Sequence, residues 1–267
     1  MKRLLSVSLC AFLLTACCGN PAATKPTATI PVTATTETIP ICATEPVEET
    51  VVPTATPTES THSALYFPDT DVEDVITWFN EVCLAAEFIN SGDPSFLQKW
   101  DSPIFYMIYG EPTDDDLAIL ETFVQWLNTL EGFPGIREAA NAQEANLNIH
   151  FCTHEEMLSI MGEWTYDLDG AVTFWYDNNR VHDAIVCVRT DLNQHLRNSV
   201  ILEELYNGLG PIQDTSLRPD SLIYAEFSEP QELSEIDELI LQLLYHPDMK
   251  CGMDSVQCEE VIRKLYY

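Results

Sequence analysis

Between Gly19 and Ser63 the chain carries 13 threonines and 7 prolines in 45 residues, and not one Phe, Trp or Tyr. Such a stretch cannot bury enough apolar surface to offset the entropy of ordering its backbone. Proline keeps it extended, so it reads as a disordered stalk, and Thr/Pro-rich extracellular stalks are frequent acceptors of O-linked sugar. The foldable part is therefore residues 64–267. That length suits one medium domain with a core of its own.

Ahead of the stalk, Lys2 and Arg3 are followed by an apolar run from Leu4 to Leu14. The run is too short to span a bilayer, which takes about 20 apolar residues, and has the length of a signal-peptide core. Leu14-Thr15-Ala16-Cys17 then resembles the lipobox of bacterial lipoproteins. The resemblance implies cleavage before Cys17, diacylglycerol and palmitate on that cysteine, and a place on the extracytoplasmic face of the cell membrane. Cys18 is a poorer acceptor, because it would put Cys17 rather than Ala16 before the cut. No other apolar stretch reaches 18 residues, so lipid is the expected anchor. The expected organisation is a signal peptide over 1–16, a lipidated linker over 17–63 and one domain over 64–267.

Forty-three acidic residues against 12 basic ones give a net charge of −31. Phosphate binding needs a basic footprint, so nucleic acid is not an expected partner. The charge keeps the protein soluble and favours cations or cationic peptides over anionic surfaces. Of nine cysteines, Cys83, Cys152, Cys187, Cys251 and Cys258 fall in the foldable part, an odd set. Cys251 with Cys258, and Cys152 with Cys187, are the two candidate pairs, and spacing does not choose between them. No C-x-x-C occurs, so neither a thioredoxin-like motif nor a zinc ribbon is indicated.

Val72, Val75, Ile76, Phe79, Val82, Ala86 and Ile89 recur at helical spacing, with Asp69 or Thr70 as cap. A strand is expected over Ile104–Tyr109. A second helix starts after Thr113, with three aspartates in its first turn and Leu117, Leu120, Phe123, Val124, Leu127 and Leu130 on its apolar face. Asn146–Phe151 alternates as a strand. Val172–Tyr176 and Ala184–Val188 are two more, joined through Asp177-Asn178-Asn179. Helices at roughly 192–209, 234–246 and 254–265 close the chain. The pattern predicts an α+β domain with a small sheet and a helical C-terminal part.

The run Ser199-Val200-Ile201-Leu202-Glu203-Glu204-Leu205-Tyr206-Asn207-Gly208-Leu209-Gly210 continues through Asp220-Ser221-Leu222-Ile223-Tyr224 and Leu233-Ser234-Glu235-Ile236-Asp237 to Leu244-Tyr245-His246-Pro247 and Gly252-Met253. This succession resembles a secreted bacterial family known as a domain of unknown function and, beyond it, the zincin metallopeptidases of the metzincin branch. The resemblance spans about residues 70–267 and implies a degenerate zincin-like fold. Active metzincins carry H-E-x-x-H-x-x-G-x-x-H, whose histidines hold zinc while the glutamate activates a water. Aligned on Gly210, the first and second histidine positions hold Glu203 and Asn207, the general-base position holds Glu204, and the third ligand position holds Gln213. Ile223 stands at the methionine of the supporting turn.

Zinc prefers imidazole and thiolate, so no metal and no cofactor are expected. The alternative is a hard ion such as Ca²⁺ on Glu203, Asn207 and Asp214. Glu203, Glu204, Asn207, Gln213 and Asp214 are the candidate cleft residues, expected at the floor of a groove beside an edge strand. Glu203 shares a stripe with Leu196, Val200 and Asn207, so it should face inward, bonded by Asn207 or by backbone amides, or paired with Arg189, Arg197 or Arg218. Alternatively Glu203 and Glu204 form a carboxylate pair, one with a raised pKa, poised for acid–base work.

His150, Cys152 and His154 offer metal-binding chemistry only if all three lie on one strand. Thr153 with Glu156 instead reads as a capping box that opens a helix and separates the two imidazoles. His246 suits a helix C-terminus, and His182 and His195 stand alone. Trp164, Tyr166, Phe174, Trp175 and Tyr176 are either core or a stacking surface. No G-x-S-x-G, P-loop or G-x-G-x-x-G occurs. The expected function is non-catalytic binding of a peptide, protein or cell-wall ligand. The alternatives are a hydrolase built on Glu203 and Glu204, and a structural envelope protein.

Overall fold

The computed structural model describes residues 65, 70–84, 96–210, 213–226 and 228–266. The expected signal peptide, Cys17 and the stalk lie outside the described residues, as do Asp69, Ala86 and Ile89.

After helix α1 (Val72–Leu84) the chain alternates strands with helices: β1 (Lys99–Trp100), β2 (Ile104–Gly110), α2 (Asp114–Leu127), β3 (Ile136–Glu138), β4 (Leu147–Cys152) and α3 (His154–Met161). A one-turn 3₁₀ segment, Glu163–Thr165, leads into β5 (Gly170–Asp177) and β6 (Arg180–Arg189). Three helices follow: α4 (Gln194–Asn207), α5 (Glu235–Tyr245) and α6 (Ser255–Leu265). The domain is thus mixed α/β, with six helices and a six-stranded sheet among the described residues.

The sheet is larger and more parallel than the small one expected. Strand β6 pairs with β4 and β1, β4 with β2, and β2 with β3, all in parallel. Between β2 and β3 the chain crosses over through α2, the connection a parallel pair requires. Only β5 runs antiparallel, because a two-residue turn joins it to β6. Asn178 and Asn179 have φ of 51° and 63°, the left-handed pair of a type I′ hairpin, which asparagine tolerates. Since β5 covers one edge of β6 and β4 and β1 the other, β5 is an outer strand. Among the described residues no strand pairs with its far edge.

Alternate residues divide the core. Ile149, Phe151, Val172, Val186 and Val188 enter the main core with α1, α2, α4 and α5, whereas Cys152, Ala171 and Cys187 join Met157 and Leu168 in a smaller cluster under α3. The caps follow the sequence. Thr113, Thr153, Ser234 and Asp254 each close a capping box, with Asp116, Glu156, Asp237 and Gln257 as partners. In α1 the side chain of Asp71, not Thr70, accepts from a first-turn amide, that of Glu73. Leu130 lies past the end of α2, where Asn128 caps the helix.

A central helix and the candidate carboxylate site

Helix α4 is enclosed on most sides rather than along one stripe: Arg197, Ser199, Val200, Ile201, Leu202, Glu204, Leu205, Tyr206 and Asn207 are all buried. Its first turn is closed by Asn193, whose side chain accepts from Leu196 N at 3.1 Å. Its C-terminal carbonyls are met by two ring donors. Trp100 Nε1 donates to Gly208 O at 2.9 Å and Tyr245 Oη to Leu209 O at 2.7 Å.

The polar groups on this helix are partnered unequally. Arg197 forms a buried ion pair with Asp116 at 2.9 Å and also donates to Thr190 O. Arg189 is taken by Asp169 and Asp191, and Arg218 by Asp220. None of the three guanidiniums expected to neutralise Glu203 pairs with it, because each is committed to a nearer aspartate. The expected bond from Asn207 to Glu203 is also not made: Asn207 Oδ1 is buried with no hydrogen-bond partner among the described residues.

Glu203 and Glu204 instead line a pocket beside the start of the outer strand β5. Its walls are Asp169 and Gly170 from β5 and the loop before it, Ser199 and Val200 from α4, and Asp214, Leu222, Tyr224 and Glu226 from the segment after α4. The free space is about 40 Å³, room for a few waters or one small group. Gly170 lets β5 approach α4 closely at this point. A Cβ there would stand 2.4 Å from Val200 Cγ1 and 2.8 Å from Glu204 Cγ. Of the five expected cleft residues, Glu203, Glu204 and Asp214 come together. Asn207 and Gln213 are not among the pocket's lining residues.

Burial is the main influence on both glutamates, and neighbouring carboxylates add to it. Burial, with Asp214 and Asp169 nearby, pushes Glu203 up to about 8. Burial, with Glu203 and Asp214 nearby, holds Glu204 well above the ordinary carboxyl range. Neighbouring carboxylates disfavour one another's ionisation, which adds to the effect of burial.

The floor behind the pocket is built quite differently. Thr215 N donates to Ile223 O and Ala225 N to Thr215 O, closing a loop that ends in the turn Ser221-Leu222-Ile223. Asp237 on α5 clamps that turn: its carboxylate accepts from Ser221 Oγ (2.6 Å), Leu222 N (3.0 Å), Ser234 N (3.0 Å) and Ser234 Oγ (2.8 Å). Tyr206 Oη donates to Asp237 O at 3.0 Å, tying the clamp back to α4.

The other candidates separate. His150 stacks on Tyr109 with centroids 4.6 Å apart, while His154, past the Thr153 capping box, bonds Tyr166 O through Nε2. Among the described residues no group of three His, Cys, Asp or Glu is arranged to hold a metal ion. Phe174 is in the main core, Trp164 belongs to the 3₁₀ segment and Tyr166 caps it, so the aromatic residues form no single surface. His246 caps α5, its Nδ1 accepting from Asp248 N at 3.1 Å, and His182 pairs with its neighbour Asp183. Asp169, Gly170, Tyr224 and Glu226 were not legible as site residues. The one hint is a glycine two residues ahead of the expected strand Val172–Tyr176, since glycine at a strand often marks close approach of another group.

Fold and site define a mixed α/β domain with a mostly parallel sheet and a small acidic pocket beside its antiparallel outer strand. A family model described as protein of unknown function (DUF2927) matches residues 73–264, and the chain belongs to that family. No curated protein matches it.

Proposed function

We propose that the protein is a lipid-anchored, extracytoplasmic binding module on a degenerate zincin-like scaffold, holding a peptide or cell-wall ligand along the outer edge of β5 with one small group of it, such as an amine, in the pocket. The observation that carries this reading is the site itself. Glu204 is 5% exposed, has no cationic partner among the described residues, and lines the pocket's free space. A ligand bearing an amine would supply the missing positive charge. The far edge of β5 offers unpaired backbone groups to an extended chain. The metzincin-like run from Ser199 to Met253 supports the scaffold, and Lys2 to Cys17 supports the anchor.

Titration calorimetry of the purified full chain with lysine-containing peptides and with peptidoglycan fragments tests the binding. Saturable binding weakened at least tenfold by Glu203→Gln with Glu204→Gln supports the reading. Binding of neither class ends it. Radiolabelled palmitate should enter the wild-type chain and not Cys17→Ser.

A second reading is favoured by the proton held on Glu203 near neutrality: the pair would act as acid and base in a hydrolase without zinc. Turnover of peptide or glycan substrates that vanishes in Glu204→Gln would support it, and equal rates in both proteins would exclude it. Stoichiometric zinc in the purified protein would overturn the non-catalytic reading.

A further inference from the structure

Cys152 ends β4 and Cys187 lies in the neighbouring β6. In the parallel register Cys187 is opposite His150 and Cys152 opposite Arg189. The two cysteines are thus one diagonal step apart on the same face of the sheet, and both are free thiols. Both belong to the small cluster under α3, outside the carboxylate pocket. Cys152 also lines a separate cavity of about 590 Å³, with His150, Thr153, Glu156 and Ser159. The other described cysteines differ. Cys251 donates to Lys99 O at 3.7 Å, and Cys258 is buried in the main core, so the alternative pair suggested by spacing is not formed.

We infer that Cys152 and Cys187 are a redox pair that closes to a disulfide stapling β4 to β6, with Cys152, facing the cavity, reacting first with a small-molecule disulfide. The Cys152 thiolate attacks one sulfur of R–S–S–R, whose S–S bond breaks and releases R–S⁻, which takes up a proton. Cys187 then gives its proton to solvent and attacks Cys152 Sγ, displacing the second R–S⁻. The net reaction is protein dithiol plus R–S–S–R to protein disulfide plus two R–SH. The chain is oxidised by two electrons and the small disulfide is reduced by two. The order of attack fits the thiols. Cys152 lines the cavity, whereas Cys187 is fully buried beside it and is reached only through Cys152.

The test is peptide mapping of the reduced, purified full chain after incubation with oxidised glutathione. The expected result is a single linked pair of peptides containing Cys152 and Cys187, a mass loss of about 2 Da, and loss of that product in both Cys152→Ser and Cys187→Ser. Closing a loop of this length should also raise the melting temperature of the oxidised protein by roughly 5–10 °C over the reduced one. The wild-type map decides even if a serine variant fails to fold. A glutathione adduct on Cys152 that does not resolve, both thiols still free to alkylation after denaturation, or a link through Cys83, Cys251 or Cys258 would each overturn the proposal.

Discussion

Asp237 and Glu204 are both buried carboxylates around the same helix, 0% and 5% exposed, yet their surroundings are opposite. Asp237 accepts four hydrogen bonds and so locks the Ser221–Ile223 turn beneath α4. Glu204 has Glu203 and Asp214 as its nearest electrostatic influences and open space before it. A fold that buries a carboxylate for stability surrounds it with donors, as it also does for Asp116 with Arg197. A carboxylate left among like charges lowers stability, and it persists where the site serves something other than folding.

The largest expected effect is at the clamp. Asp237→Ala strands the amide of Leu222 and the hydroxyls of Ser221 and Ser234, and should cost about 3–5 kcal/mol in urea unfolding. Glu204→Gln in the same assay should cost nothing or stabilise. An equal loss in the two variants would erase the contrast.

Arg197→Met comes next. It leaves Asp116, 0% exposed, buried without its cation, for a loss of about 3 kcal/mol. Restoration by Asp116→Asn in the double variant would show that the lost pairing, not the lost packing, is responsible.

Smaller is the effect of crowding the contact between β5 and α4. Gly170→Ala forces a methyl against Val200 and Glu204 and should cost about 1–3 kcal/mol in thermal unfolding. A neutral result would mean that the space under β5 is not as tight as its 2.4 Å approach implies.

The smallest effect is a pH dependence. The carboxyl of Glu203 titrates near 8 in the folded protein against an ordinary 4.5. Below about 4.5 both folded and unfolded chains hold the proton and nothing is lost. Between the two values the unfolded chain alone gives it up, so stability falls as pH rises, and the penalty is complete above about 8. Glu203→Gln should therefore match wild type at pH ~4 and exceed it by about 1–2 kcal/mol at pH ~9, in paired denaturant melts. A constant difference across that range would mean that Glu203 titrates normally.

Much of the architecture could be read directly from local patterns. The helices α2, α4, α5 and α6 and the strands β2, β4, β5 and β6 lie where apolar spacing and capping residues put them. The short β1 and β3 were not legible, because two or three residues carry no alternation. The site was legible in part. A motif comparison singled out Glu203, Glu204 and Asp214, while Asp169, Gly170 and Tyr224 sit in unremarkable sequence. Glu203 illustrates the limit: helical spacing shows which way it faces, but not which of three arginines are already engaged elsewhere.

Composition and short-range order in the chain determined that a foldable segment follows a Thr/Pro-rich stretch, and where its helices begin, since caps and turns are contacts within four residues. Only the tertiary structure decided that the sheet is mostly parallel, that β5 is its outer strand, and that two adjacent glutamates share one pocket. Those outcomes rest on contacts between residues tens of positions apart, where burial and neighbouring charge, not residue type, set what a carboxylate or a thiol can do.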